Sequence, residues 1–269
     1  CDVQCWLAWQ DGRVVGRIAA FVNHRFVEVW KQKGARFGWI DFIDDVEVSS
    51  KLLQTATQWA VDMGMESIHG PLSFTDFDAT GLLIDGFDEL ATFGSGYNFP
   101  YYEEHFEKHG FEKDVDYVEY QVKMNDIIPD KVERVAKIAA KRNNLHLLRV
   151  KKTKEMMRYA PDVFHLINDA YSHLYGFVPM TQRQVDHFVK QYFSFIRPGY
   201  VPIVLDEHDK LAAFGITMPS LSKALQKGNG RLFPFGFVHL MRAMKNNPLA
   251  DLYLTAVRPD LQNKGVNAM

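Results

Sequence analysis

Cysteine is almost missing from this chain: Cys1 and Cys5 are the two in 269 residues. On one strand, side chains four positions apart share a face but stand about 13 Å apart, too far for a disulfide. A disulfide framework is therefore excluded, and a reducing, cytoplasmic setting is the expectation. Long hydrophobic runs are lacking too. None approaches the roughly 20 residues that cross a bilayer, and no signal-peptide pattern opens the chain, so no membrane partner is expected. Charge of one sign is absent in bulk, since 31 basic and 33 acidic side chains leave a net −2. That balance does not advertise a polyanion, and nucleic acid is not an expected partner. There is no Gly-x-Ser-x-Gly elbow and no Cys–His nucleophile pattern. His165, His173, His187 and His239 have no companion at metal-ligand spacing. Asp76, Asp78, Asp85 and Asp88 do not follow the order of a calcium loop, and Asp beside Gly reads as turn chemistry. No metal is expected.

What is present is an ordinary globular balance, 47% hydrophobic and 24% charged, with aromatics at 13%. The length suits one to two domains. Cys5–Ala8 and Val14–Val22 read as strands around the hairpin turn Gln10-Asp11-Gly12-Arg13. A polar stretch over 23–36 leads to a third strand over 37–43. Asp44-Asp45 suits a helix start, with Leu52, Ala56, Trp59, Ala60 and Met63 on one face and Gly64 as the stop. A short strand over 67–70, a helix over Tyr101–His109 and a strand over Tyr117–Met124 follow. Pro129–Asn143 reads as a basic amphipathic connector.

A second run of elements begins at His146–Val150, a strand. Helices over 161–176 and 181–196 come next, then a hairpin of 200–205 with 211–216, a helix over 235–245 and a strand over Leu252–Val257. The expected fold is α/β with a mixed sheet, organised as 1–125, a connecting helix over 126–145, and 146–269. The chain starts at Cys1 without a Met and stops at Met269 inside a helix signal, so a fragment is expected.

The stretch Leu252-Tyr253-Leu254-Thr255-Ala256-Val257-Arg258-Pro259-Asp260-Leu261-Gln262-Asn263-Lys264-Gly265-Val266-Asn267 resembles the acyl-CoA-binding segment of GNAT N-acyltransferases. In that family a strand reading V-x-P precedes Q/R-x-x-G-x-G/A. Gln262, Gly265 and Asn267 fall on the three marked positions, and Asn replaces the last Gly or Ala. Backbone N–H groups in such a turn point at a pyrophosphate, and a Gly lets the backbone approach it closely. The first half, through Gly81-Leu82-Leu83-Ile84-Asp85-Gly86-Phe87-Asp88 and Asn98-Phe99-Pro100-Tyr101-Tyr102, is similar to poorly characterised bacterial GNAT-like proteins. There Asp44-Asp45-Val46-Glu47-Val48-Ser49 occupies the place of the CoA loop, with no glycine and three acids.

The resemblance implies two tandem GNAT-like modules, the first without a CoA loop and the second truncated at its C-terminus. It implies acyl transfer, with acetyl the leading candidate, from acetyl-CoA or another acyl-CoA to an amine acceptor, a small molecule or a peptide. Leu254, Ala256, Val257, Gln262, Asn263, Lys264, Gly265, Val266 and Asn267 would hold the cofactor. Tyr171, His173 and Tyr175 would face the acceptor as acid or base. The first module would build one wall of the acceptor cleft or a homodimer contact. The long loop 73–100 either covers an acceptor site with Phe93, Tyr97, Phe99, Tyr101 and Tyr102 or packs on its own module or on the neighbouring one. Two other readings stand beside this one: a degenerate GNAT fold that binds or scaffolds without catalysis, and an aminoacyltransferase of the Fem type.

Overall fold

The computed structural model describes residues 1–75, 77–78, 80–124, 127–148, 152–192 and 197–269. Among the candidates named above, Asp76, the boundary residues 125–126, the strand end 149–150 and the helix end 193–196 lie outside the described residues. The chain divides into two compact units, Cys1–Tyr120 and Gln121–Met269. Each contains a four-stranded sheet flanked by helices, and the protein is a mixed α/β chain.

In the first unit β1 (Asp2–Gln10) and β2 (Arg13–Val22) form the hairpin. Asp11 and Gly12 sit at φ 50° and 75°, the positive pair that a two-residue hairpin turn demands. The polar stretch after β2 contains a helix that its composition hides, α1 (His24–Trp30), started by the Asn23 side chain accepting from the Arg25 and Phe26 N–H groups. Then come β3 (Gly34–Phe42), α2 (Val46–Asp62), β4 (Ser67–His69) and, after the long loop, α3 (Tyr101–Lys108). The sheet order is β1-β2-β3-β4, antiparallel except for the parallel β3–β4 pair. Alternation carries Ile18 and Phe37 inward. The helical spacing of α2 lays Leu52, Leu53 and Ala56 over them, with Tyr102 and Phe106 of α3 closing the core.

The segment Tyr117–Met124 corrects the sequence reading. It alternates like a strand but joins neither sheet, and Val118, Tyr120, Val122 and Met124 are 70–80% exposed. Alternation marks a chain fit for a pleated surface, and a strand also needs an edge to pair with.

His69 on β4 faces the buried cation Arg36, its register partner on β3, and packs on Phe26. Burial first, and then the Arg36 charge, lower its pKa from 6.5 to about 4, with Asp114 opposing. The unfolded chain therefore binds a proton between these values that the folded chain refuses. Stability is full above pH 6.5 and falls as pH drops toward 4, by up to about 3 kcal/mol from this group. Urea titrations at pH 7 and pH 4.5 should differ in that sense for the native protein, and His69→Gln should flatten the difference.

The second unit opens with α4 (Asp130–Arg142), the helix read as a connector, followed by β5 (His146–Leu147) and α5 (Thr153–Met157). Next is α6 (Ala160–Ala170), which stops short of the expected 176 and gives way to a turn closed by Gly176 at φ 68°. The helix α7 (Gln182–Tyr192) begins with a reciprocal cap, in which Gln184 N donates to Thr181 Oγ1 and Thr181 N donates to Gln184 Oε1. Strands β6 (Ile203–Leu205) and β7 (Leu211–Pro219) form the second hairpin. Two short helices, α8 (Ser222–Lys227) and α9 (Gly236–Lys245), lead to β8 (Ala250–Val257). This sheet runs β5-β6-β7-β8, antiparallel throughout. Among the described residues no helix is long and apolar enough to cross a membrane.

Candidate functional site

The second unit brings three parts of the expected site together: the strand β8, the loop that follows it, and Tyr171. Gly215 pairs with Thr255 and Phe214 with Ala256, and Arg258 N donates to Ala212 O at 2.8 Å. Backbone groups alternate sides along a strand, so those of Leu254 and Ala256 turn toward β7 while those of Thr255 and Val257 turn away from it. Tyr171, the residue that ends α6, meets Thr255 on that outer side. Its hydroxyl donates to Thr255 O at 2.9 Å and accepts from Thr255 N at 3.4 Å. Gln262 Nε2 donates to Val257 O at 3.2 Å. Of the strand residues named from the sequence, only Val257 thus has its backbone on the outer edge. Which amides of Leu254–Val257 turn outward is shown only by the ladder parity.

The loop has the backbone expected of an anion cradle. Asn263 and Gly265 both take left-handed conformations, φ 61° and 79°. Residues 262–265 form a turn between two short 3-10 helices. Backbone N–H groups of such a turn can face an anion. The loop is pinned from within by Leu261 and Val266, which join a core with Leu145, Val204, Ala212 and Ala213. Behind it runs α4. A Cβ added at Gly265 would lie 3.0 Å from Val135 Cγ1 and 3.7 Å from Ala139 Cβ. Asn263, Lys264 and Asn267 are exposed. Gly265 leads into a 3-10 turn, Val266–Ala268.

The Arg258-Pro259-Asp260 approach is a brace. Arg258 spans Asp206 at 2.8 Å and Asp260 at 2.7 Å. Asp206 also accepts from the His208 and Lys210 N–H groups, closing the β6–β7 hairpin. The Arg258 hydrogen bond holds the Asp206 carboxyl down at about 2, against the effect of burial. The guanidinium is therefore committed to structure, and Lys264, which makes no salt bridge among the described residues, is the cation left for a ligand.

Of the three candidate acids and bases, the structure sets Tyr171 on the strand. It lies edge-on to Phe177 at 5.8 Å, and burial raises its pKa, partly offset by the Thr255 hydrogen bond. A hydroxyl so placed stays protonated at neutral pH and is a donor. His173 and Tyr175 lie further along the turn, both exposed.

In the first unit the stretch Asp44–Ser49 opens α2. Asp45 Oδ1 accepts from the Glu47 and Val48 N–H groups, occupying donors that an anion at the start of α2 would need. Asp44 bonds His105 Nε2 at 3.0 Å, His105 Nδ1 meets Ser49 Oγ at 2.8 Å, and Ser49 Oγ meets His109 Nε2 at 3.1 Å. Ser49 and His105 are buried. At the end of β3, Tyr101 donates to Phe42 O, while Tyr102 accepts from Phe42 N and donates to Asp41. A cavity of about 310 Å³ opens there, lined by 14–17, 41–43, Phe99 and Tyr101. The long loop packs on its own unit: Asn98 clamps the Leu83 backbone through both N–H and C=O, and Leu72 O crosses over Gly38. Asn98-Phe99-Pro100-Tyr101-Tyr102 and the Gly81–Asp88 run are thus one contact. Among the described residues no group of three His, Cys, Asp or Glu could hold a metal ion.

No family model matches the chain. It is 28% identical over 262 residues to Protein YghO of Escherichia coli K12, covering 96% of this chain and 66% of that protein. It is also 28% identical over 249 residues to the bacterial ceramide synthase of Caulobacter vibrioides, covering 91% and 63%. The chain therefore spans about two thirds of the length of these curated relatives.

Proposed function

We propose that the protein is an N-acyltransferase that moves an acyl group from an acyl-CoA to an amine, with the loop 262–267 and the outer edge of β8 as the donor site. The observation that carries this reading is the left-handed turn at Asn263 and Gly265 that directly follows β8, tied by Gln262 to Val257 and close to the edge at Thr255, where Tyr171 stands. The relative named a ceramide synthase supports the chemistry, since a ceramide is the amide of a fatty acid with a long-chain amino alcohol. Long-chain donors and a lipid-like amine therefore join acetyl-CoA among the substrates to test.

In this scheme the pyrophosphate lies on the 263–267 amides and Lys264. The acceptor nitrogen attacks the thioester carbonyl. A C–N bond forms, the C–S bond breaks, and the amine proton leaves to water or a base. An amide turned outward from β8 stabilises the developing oxyanion. The hydroxyl of Tyr171 gives its proton to the departing thiolate and regains one from solvent.

The direct test is calorimetric titration with CoA, acetyl-CoA and long-chain acyl-CoA. Lys264→Glu reverses the available cation at an exposed position and should weaken binding by roughly tenfold or more while leaving Tm unchanged. Gly265 is a poorer probe, because its substitution strains φ and drives into Val135 of α4 at the same time. Failure to bind any of these thioesters would move the protein to a non-catalytic binding module.

A further inference from the structure

The near-zero net charge conceals a local asymmetry. From Lys210 to Ala250 there is no Asp or Glu, while Lys223, Lys227, Arg231, Arg242 and Lys245 fall on and around α8 and α9. All five are exposed, and among the described residues none makes a salt bridge. In the midst of this basic surface the chain displays its apolar side chains outward. Phe233 is 77% exposed, Phe235 71%, Met241 59% and Leu232 52%.

The display is built. The tip leaves and returns through a neck of Gly228, Arg231 and Gly236. Arg231 N donates to Gly228 O at 2.9 Å, Phe237 N to Leu232 O at 2.9 Å and Val238 N to Phe235 O at 3.0 Å. A Cβ on Gly236 would stand 1.8 Å from Arg231 O, so only glycine lets the neck close. The closed neck throws residues 232–235 out from the end of α9, with Phe233 against Phe237 at 6.0 Å. A fixed neck spares part of the ordering entropy that a floppy loop would lose on docking.

We propose that this α8–α9 tip docks on an anionic phospholipid surface, with Leu232, Phe233 and Phe235 entering the interfacial region and the surrounding Lys and Arg side chains meeting the headgroups. Charge complementarity selects the occupant: apolar anchors within a basic rim without acids are the pairing that an anionic bilayer rewards. Protruding aliphatic Leu232 and Met241 have no role in stacking on bases, which separates this surface from a nucleic-acid groove. The inference is independent of acyl transfer.

The test is co-sedimentation of the full-length protein with vesicles of phosphatidylcholine alone or with about one third phosphatidylglycerol. Binding is expected to the mixed vesicles only, and loss of it at about 0.5 M salt. The double variant Phe233→Ser, Phe235→Ser should weaken partition at least about tenfold, as should Lys227→Glu with Arg231→Glu. These tip positions are exposed, so the variants should keep the native Tm. In Phe233→Trp, indole emission should shift to the blue when anionic vesicles are added. Lack of binding, equal binding to neutral vesicles, or full binding by the double-serine variant would overturn the proposal, as would binding of single-stranded RNA in place of vesicles. Acyl-CoA titration of the same variants reads the donor site separately.

Discussion

Replacing Tyr171 with Phe is expected to lower kcat for amine acylation by roughly 10²–10⁴-fold while leaving acyl-CoA affinity within about threefold. The ring still fills its place against Phe177, and only the hydroxyl that bonds Thr255 is lost. A proton donor acts while protonated. Because burial raises the Tyr171 pKa, activity should decline only at alkaline pH, and that decline should vanish in the variant. If the hydroxyl merely closes the edge of β8, the variant will lose about 1 kcal/mol of stability and keep its turnover. The kcat measurement and the pH profile together decide between these roles.

The second large effect concerns the first unit. His105→Ala should destabilise it by about 3 kcal/mol, because it empties a buried volume against Phe42 and Tyr101 and removes a hydrogen-bond partner of Ser49. Ser49→Ala should cost about 2 kcal/mol by leaving His105 Nδ1 without its partner. The double variant should cost less than the sum, by about 1 kcal/mol, since both break the same link. Additive losses in urea denaturation would show that the chain from Asp44 to His109 is not a coupled unit.

Much of the architecture was legible because local chemistry and long-range packing agree. Asp11-Gly12 supplies the two positive φ values of its hairpin, Asp45 caps α2, and Thr181 with Gln184 starts α7. Where local signals mislead, the missing information is a partner. The polar residues on either side hide α1, which buries Phe26. The alternation of Tyr117–Met124 promises a strand that no edge receives. The candidate loop was visible through Gln262 and Gly265, whereas the outward turn of the Thr255 backbone was not, because residue type carries no signal for which way an amide turns.

The sequence by itself determined the α/β class, the turn and cap positions, and the glycine that a left-handed loop at 265 requires. These follow from backbone sterics and periodicity, which act over a few residues. Only the tertiary structure decided that Tyr171 sits on β8, that Arg258 is spent on Asp206 and Asp260, and that Phe233 and Phe235 between α8 and α9 turn outward. Each of these is a meeting of side chains distant in sequence or a choice of side for a strand or loop. The packing of the whole unit fixes such choices, and a single chain read residue by residue does not contain them.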